Sequence, residues 1–163
     1  ARRGAAAAKG IAVITLPDRR WNRVDIKTTG LTANVMARQA AREAGAAEAW
    51  FIDADGYVTE GAAANAWIVT QNGALATRMA DGSILRGVTR QTLIDLLTSK
   101  GLRLEERAFT RAEALAAREA FVTGATTLVT PAVRIDGVAI GDGKPGPLAR
   151  ELREQFHKTA ARM

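Results

Sequence analysis

Three dipeptides constrain this chain most: Asp55-Gly56, Asn72-Gly73 and Asp136-Gly137, each beside short apolar runs. Asn-Gly and Asp-Gly pairs adopt the positive φ angles that two-residue hairpin turns demand, so each folds a strand back on its neighbour. AWFID at 49–53 and YVTEG flank the first, AWIVT at 66–70 leads into the second, and RIDGVAI contains the third. Residues 46–78 therefore read as a small antiparallel meander. IAVITL at 11–16 is a further strand, ended by the Pro17-Asp18 turn. LRLEERAF alternates as another, and EAFVTGATTLVTPAV is strand-rich with a break at Gly124.

Helical spacing occupies the segments between. Thr32 is placed to cap a helix carrying Ala33, Met36, Ala37, Ala40, Ala41 and Ala44, and Gly45 stops it. GVTRQTLIDLLTSKG turns Leu93, Ile94 and Leu97 inward and ends at Gly101, while Thr110 and Glu113 have the spacing of a capping box. GDGKPGP is a loop, and Leu148, Leu152 and Phe156 form the stripe of a last helix, with His157 on its polar side. Strands and helices mix without strict βαβ alternation, which predicts an α+β fold with a mixed or mainly antiparallel, barrel-like sheet and surrounding helices. The boundaries read as a linker or truncated N-terminus at 1–10 and one domain at 11–163, with Trp21, Trp50 and Trp67 in its core or an interface.

The composition narrows the function classes. No run is apolar enough to cross a membrane, and the absence of cysteine excludes disulfides, thiolate metal sites and a cysteine nucleophile, in keeping with a reducing cytoplasm. A net charge of +6 invites a nucleic-acid partner. The basic residues, however, alternate with acids in AREAGAAE, RLEERAFTRAE and ARELREQFHK, as on solvated helix faces. Only 5% of residues are aromatic, leaving few rings on which bases could stack. Among Arg20, Arg23 and Arg90, possible carboxylate binders, at least two are expected in solvated positions.

Three features carry possible chemistry. Lys27 follows a short strand and precedes TTG, small residues that leave room around an amine. Glu60 ends a strand and is followed by Gly61 and three alanines. Gly87 permits a tight turn before Val88 and Thr89, where a helix begins, and free N–H groups with the positive end of the helix dipole suit an anion. The turn at Gly124-Ala125-Thr126-Thr127 is a second group of donors. Taken singly, these residues also fit a solvated lysine, a surface carboxylate, an ordinary capped helix and a strand bulge.

The combination of DIK, TEG…N, ILRGVTRQTL, FVTGATTLVTPAV and IDGVAIGDGKPGPLARELREQF, in that order, resembles the fold-type IV pyridoxal phosphate enzymes, the class IV aminotransferases. Within that class it is most similar to the D-amino acid aminotransferases, and the likeness runs from about residue 11 onward. It implies the large C-terminal domain of that fold and pyridoxal 5'-phosphate as cofactor. Lys27 matches the Schiff-base lysine, Glu60 the partner of the pyridine nitrogen, and Leu85 the apolar residue against one ring face. Gly87, Val88 and Thr89 match the phosphate-binding helix start, and Ala125, Thr126 and Thr127 the second phosphate loop.

The resemblance further implies transamination between an amino acid, of D-alanine type, and a 2-oxo acid, in a cytoplasmic homodimer with the site near its interface. An aminodeoxychorismate lyase-like activity, a branched-chain aminotransferase, and a non-catalytic basic binding module are the alternatives. Two departures stand out: Ala62, Ala63 and Ala64 replace serines common after the TEG glycine, and Ala125 replaces a hydroxyl residue. The smaller N-terminal domain of the family, expected to pack on this one, has no counterpart in these residues.

Overall fold

A computed structural model describes residues 2–160; Ala1 and positions 161–163 of the two expected segments lie outside it. Fourteen elements follow one another: α1 (Arg2–Lys9), β1 (Ile11–Pro17), α2 (Thr32–Glu43), β2 (Glu48–Ile52), β3 (Val58–Gly61), β4 (Asn65–Val69), β5 (Leu75–Thr77), α3 (Val88–Ser99), β6 (Leu104–Glu106), α4 (Arg111–Leu115), β7 (Glu119–Gly124), β8 (Leu128–Ile135), β9 (Val138–Ala139) and α5 (Pro147–Ala160). The first ten residues thus include a helix.

All three predicted hairpins form. Gly56, Gly73 and Gly137 take φ values of 85°, 85° and 82°, and β2–β3, β4–β5 and β8–β9 pair antiparallel across them. The sheet order is β3-β2-β1-β8-β7-β4-β5-β6, with β9 also on β8. The expected 46–78 meander is corrected to two separate hairpins, because β2 pairs parallel with β1 and β4 pairs antiparallel with β7. β1–β8 and β5–β6 are also parallel, so the sheet is mixed.

Four strands lie between β3 and β4 in the sheet order, yet only residues 62–64 join them in the chain. Gly61 N–H donates to the Ala64 carbonyl across that turn (2.6 Å). The sheet must therefore curl until its first strand meets its sixth, a barrel-like closure whose seam is the β3–β4 turn.

Alternation along the strands fills both sheet faces. On β4, Ala66 and Ile68 join Val13, Trp50, Val122 and Ile135 in one core. Trp67 and Val69 join Leu93 and Leu97 of α3 and Leu152 of α5 in another. Trp67 stacks on Phe121 at 5.6 Å and donates from Nε1 to Thr123 Oγ1. Ala37 and Ala41 seat α2 on Ala49 and Phe51.

Several local expectations are corrected. Thr32 lies inside α2, Leu31 holds the cap position, and no side chain caps this helix. Met36 is exposed, since the small alanines 37 and 41 bring the opposite face against the sheet. Only Leu104–Glu106 of LRLEERAF is strand. Trp50 and Trp67 are core residues as expected, and Trp21 stands exposed on the surface, where the interface reading still applies. Residues 125–127 form a turn as expected, the one that joins β7 to β8. The Thr110–Glu113 capping box forms as expected.

Candidate functional site

The loop between β1 and α2 crosses the barrel seam and, with residues from the seam itself, encloses a cavity of about 140 Å³. Lys27, Glu60 and Leu85 all line it. Lys27 is exposed, and among the described residues its amine has no hydrogen-bond or ion-pair partner. Small residues keep it so: Thr28 folds back to accept from Gly30 N–H (2.9 Å) instead of covering the amine.

Glu60 is 5% exposed at the end of β3, inside the seam. Its Oε1 accepts from Arg20 (2.5 Å), its Oε2 from Asn65 Nδ2 (3.0 Å), and Leu85 N–H is shared between the two oxygens (3.1 and 3.2 Å). Burial pushes the carboxyl up to about 7, against the opposing pull of the Arg20 guanidinium. An ionised carboxylate offers about four acceptor directions. Three donors meet it in four contacts, two at each oxygen, so a further group in the cavity would share an oxygen with one of them.

Two other predicted features flank the same seam. α3 begins at Val88 with Gly87 at its cap position and no side-chain cap, so its first N–H groups remain for a ligand. Val88 is exposed and Thr89 buried. Gly87 has room for no side chain, because a Cβ there would stand 2.3 Å from Asn65 Oδ1. Asn65 Nδ2 also donates to the Leu85 carbonyl (2.9 Å), so one amide links Glu60, Leu85 and the start of α3. The second feature, the 125–127 turn, meets the seam through Gly124, whose Cβ position is 3.3 Å from the Ala63 carbonyl. Ala125 and Thr126 are exposed there, and Thr127 is partly buried.

The expectation for the arginines is corrected: only Arg23 is solvated, in an exposed pair with Asp25. Arg20 is buried between Asp18 and Glu60, and Arg90 between Glu106 and the Arg78 carbonyl. Sequence reasoning left Arg20 without a place in the site and passed over Asn65 and Arg153. Asn65 had a signal as the asparagine of TEG…N. Arg153 donates to the Thr127 and Val129 carbonyls (2.7 and 2.6 Å) and fixes the 125–127 turn from α5, a contact with no local signature.

A free amine, a buried carboxylate, an apolar side chain and an uncapped helix start can together hold a small aromatic phosphate. The donors fit pyridoxal phosphate by residue type: nitrogen to aldehyde, carboxylate to ring nitrogen, backbone N–H to phosphate.

A family model described as amino-transferase class IV matches residues 2–135. D-alanine aminotransferase of Bacillus licheniformis is 44% identical over 144 residues, which cover 88% of this chain and 50% of that protein. Among solved structures, branched-chain aminotransferase of the archaeon Thermoproteus uzoniensis with norvaline superposes with a TM-score of 0.86 at 33% identity, covering 93% of this chain and 51% of that one. The T.th. branched-chain amino acid aminotransferase with pyridoxamine 5'-phosphate gives 0.85 at 32%, covering 94% and 52%. The chain spans about half the length of the curated relatives it matches.

Proposed function

Because the chain belongs to the class IV amino-transferase family, we propose that it is the cofactor-binding part of a pyridoxal phosphate-dependent aminotransferase acting on D-amino acids of the alanine type. The observation that carries this reading is the placement of the free Lys27 amine and the buried Glu60 carboxylate on one cavity, with Leu85 beside them. Once bound, the cofactor supplies an aldehyde for amino nitrogen and a ring that takes up the electrons released at the substrate α-carbon.

The protein's residues do the rest. Lys27 would hold the cofactor through its amine and, with that amine released, would accept and return the substrate α-proton. Glu60 receives the ring N–H and keeps it protonated, which makes the ring an electron acceptor. Leu85 packs on one ring face and shields it from water. The N–H groups at Val88 and Thr89, with the Thr126–Thr127 turn, hold the phosphate. An amino acid leaves as its oxo acid before a second oxo acid enters, so kinetics are ping-pong.

Trp21, Ile26, Leu31, Val35 and Met36 are exposed on the loop and on the first turn of α2 next to the cavity. Covering them is assigned to an upstream domain of the longer protein and to a second copy in a homodimer. No described helix is long and apolar enough to cross a membrane. A cytoplasmic location belongs to the same proposal, and a chain without cysteine is in keeping with it. The solved relatives described above carry a second reading, a branched-chain substrate, separated by a screen of D-alanine against L-leucine on the intact protein.

The test is the visible spectrum of the intact protein with pyridoxal phosphate, then borohydride reduction and peptide mapping. The expected result is a yellow band that reduces onto Lys27 and is lost in Lys27→Ala. A colourless wild type would sink the enzyme reading and leave Lys27 a solvated charge.

A further inference from the structure

Resting on the cofactor reading above, we propose that Arg20 is a positioning residue, held by Asp18 so that it orients the Glu60 carboxylate without consuming the negative charge Glu60 offers the cofactor ring. The Arg20 side chain is 5% exposed. Nε and one terminal nitrogen grip Asp18 as a fork (2.9 and 2.7 Å), the pairing that fixes a guanidinium plane. The same nitrogen reaches Thr59 Oγ1 (3.2 Å) and the Ser83 carbonyl (3.4 Å). Thr59 in turn donates to Asp18 (2.9 Å). The guanidinium lies 4.6 Å over the Phe51 ring. With its plane set from two sides, its remaining nitrogen points at Glu60 Oε1 (2.5 Å).

The charges explain why Asp18 belongs to the device. An arginine facing Glu60 alone would neutralise it and compete with a protonated ring nitrogen for the same carboxylate. Asp18 supplies a matching negative charge, so the three groups together carry one net negative charge, and that charge faces the cavity through Glu60. A lysine at position 20 offers no fork and cannot hold both carboxylates in one plane.

The test uses the intact protein loaded with pyridoxal phosphate labelled with 15N in the ring, whose NMR resonance reports whether that nitrogen carries a proton. Arg20→Met leaves the charges of Asp18 and Glu60 uncancelled beside the ring and is expected to move the resonance toward the protonated form. Asp18→Asn strips the counter-charge while keeping Arg20 and is expected to move it the opposite way. Arg20→Met should also lower kcat on the order of 10²-fold with little change in KM, Arg20→Lys should not restore it, and combining Arg20→Met with Glu60→Gln should cost no more than Glu60→Gln alone. If Arg20→Met does not fold, the Asp18→Asn shift decides. A resonance unmoved in the folded variants, with only the melting temperature lowered, or full additivity with Glu60→Gln, overturns the inference. A wild type without a Lys27-bound cofactor overturns the reading beneath it as well, and is recognised by the missing colour.

Discussion

At the scale of single residues, the site depends on how closely Gly87 lets the start of α3 approach Asn65. Its φ of −65° suits any residue, so the constraint is contact alone. In Gly87→Ala the new methyl meets Asn65 Oδ1 and pushes away the amide that joins Glu60 to Leu85. Overpacking of this kind costs about 1–3 kcal/mol, and the intact protein should bind pyridoxal phosphate at least tenfold more weakly by absorbance titration. Unchanged affinity would show that Asn65 does not set the geometry. Glu60 also makes stability depend on pH. Its folded pKa, about 7 because burial disfavours the charge, lies above the ordinary carboxyl value of 4.5. The folded state then keeps a proton that the unfolded chain has lost, so stability falls as pH rises from about 4.5 through 7. Buried Glu48, also raised, adds a slope of the same sign. Urea titrations of the cofactor-free protein at stepped pH should show Glu60→Gln losing Glu60's share of this slope. An identical slope in the variant would contradict the assignment.

At the scale of elements, local signals were readable and partner choice was not. The Asp-Gly and Asn-Gly turns and the Thr110–Glu113 box are decided within a few residues, and all form. Which strand lies beside which is decided across the chain: β1 pairs with β2 and β8, more than 30 and 110 residues away, and periodicity contains no record of that. The same limit hid Arg20, because a charged loop residue becomes buried only when Glu60, 40 positions on, folds against it. Lys27, Glu60 and Leu85 were reachable through motif resemblance, and the structure brings these three to one cavity. A further tertiary contact supports α5: buried Glu119 on β7 accepts from Leu148 and Ala149 N–H (3.0 and 2.9 Å), capping a helix that has no cap of its own sequence. Glu119→Ala should cost about 2 kcal/mol in urea unfolding, and Glu119→Gln less, since an amide still presents one acceptor oxygen. Because Arg153 of α5 holds the 125–127 turn, Glu119→Ala should also loosen phosphate binding. A variant as stable as wild type would mean that water satisfies those N–H groups equally well.

At the scale of the whole molecule, two surface properties oppose each other. The apolar side chains beside the cavity, among them Trp21 at 52% and Met36 at 67% exposure, favour contact with another surface. A net charge of +6 makes copies of the chain repel. The repulsion acts through solvent and weakens with salt, since the screening length shrinks to about 10 Å at 0.1 M, whereas burial of apolar area does not weaken in this way. Self-association of the 163-residue chain should therefore rise with ionic strength, seen by sedimentation velocity between low salt and about 0.5 M. Replacing Val35 and Met36 with lysine, on a helix face that packs against nothing in the fold, should abolish the rise without lowering the melting temperature. In the longer protein, where an upstream domain is proposed to cover this face, the salt effect should be absent. A chain that stays monomeric at every salt concentration would mean that the exposed side chains beside the cavity are too dispersed to act as one surface, and that the covering domain is held by other contacts.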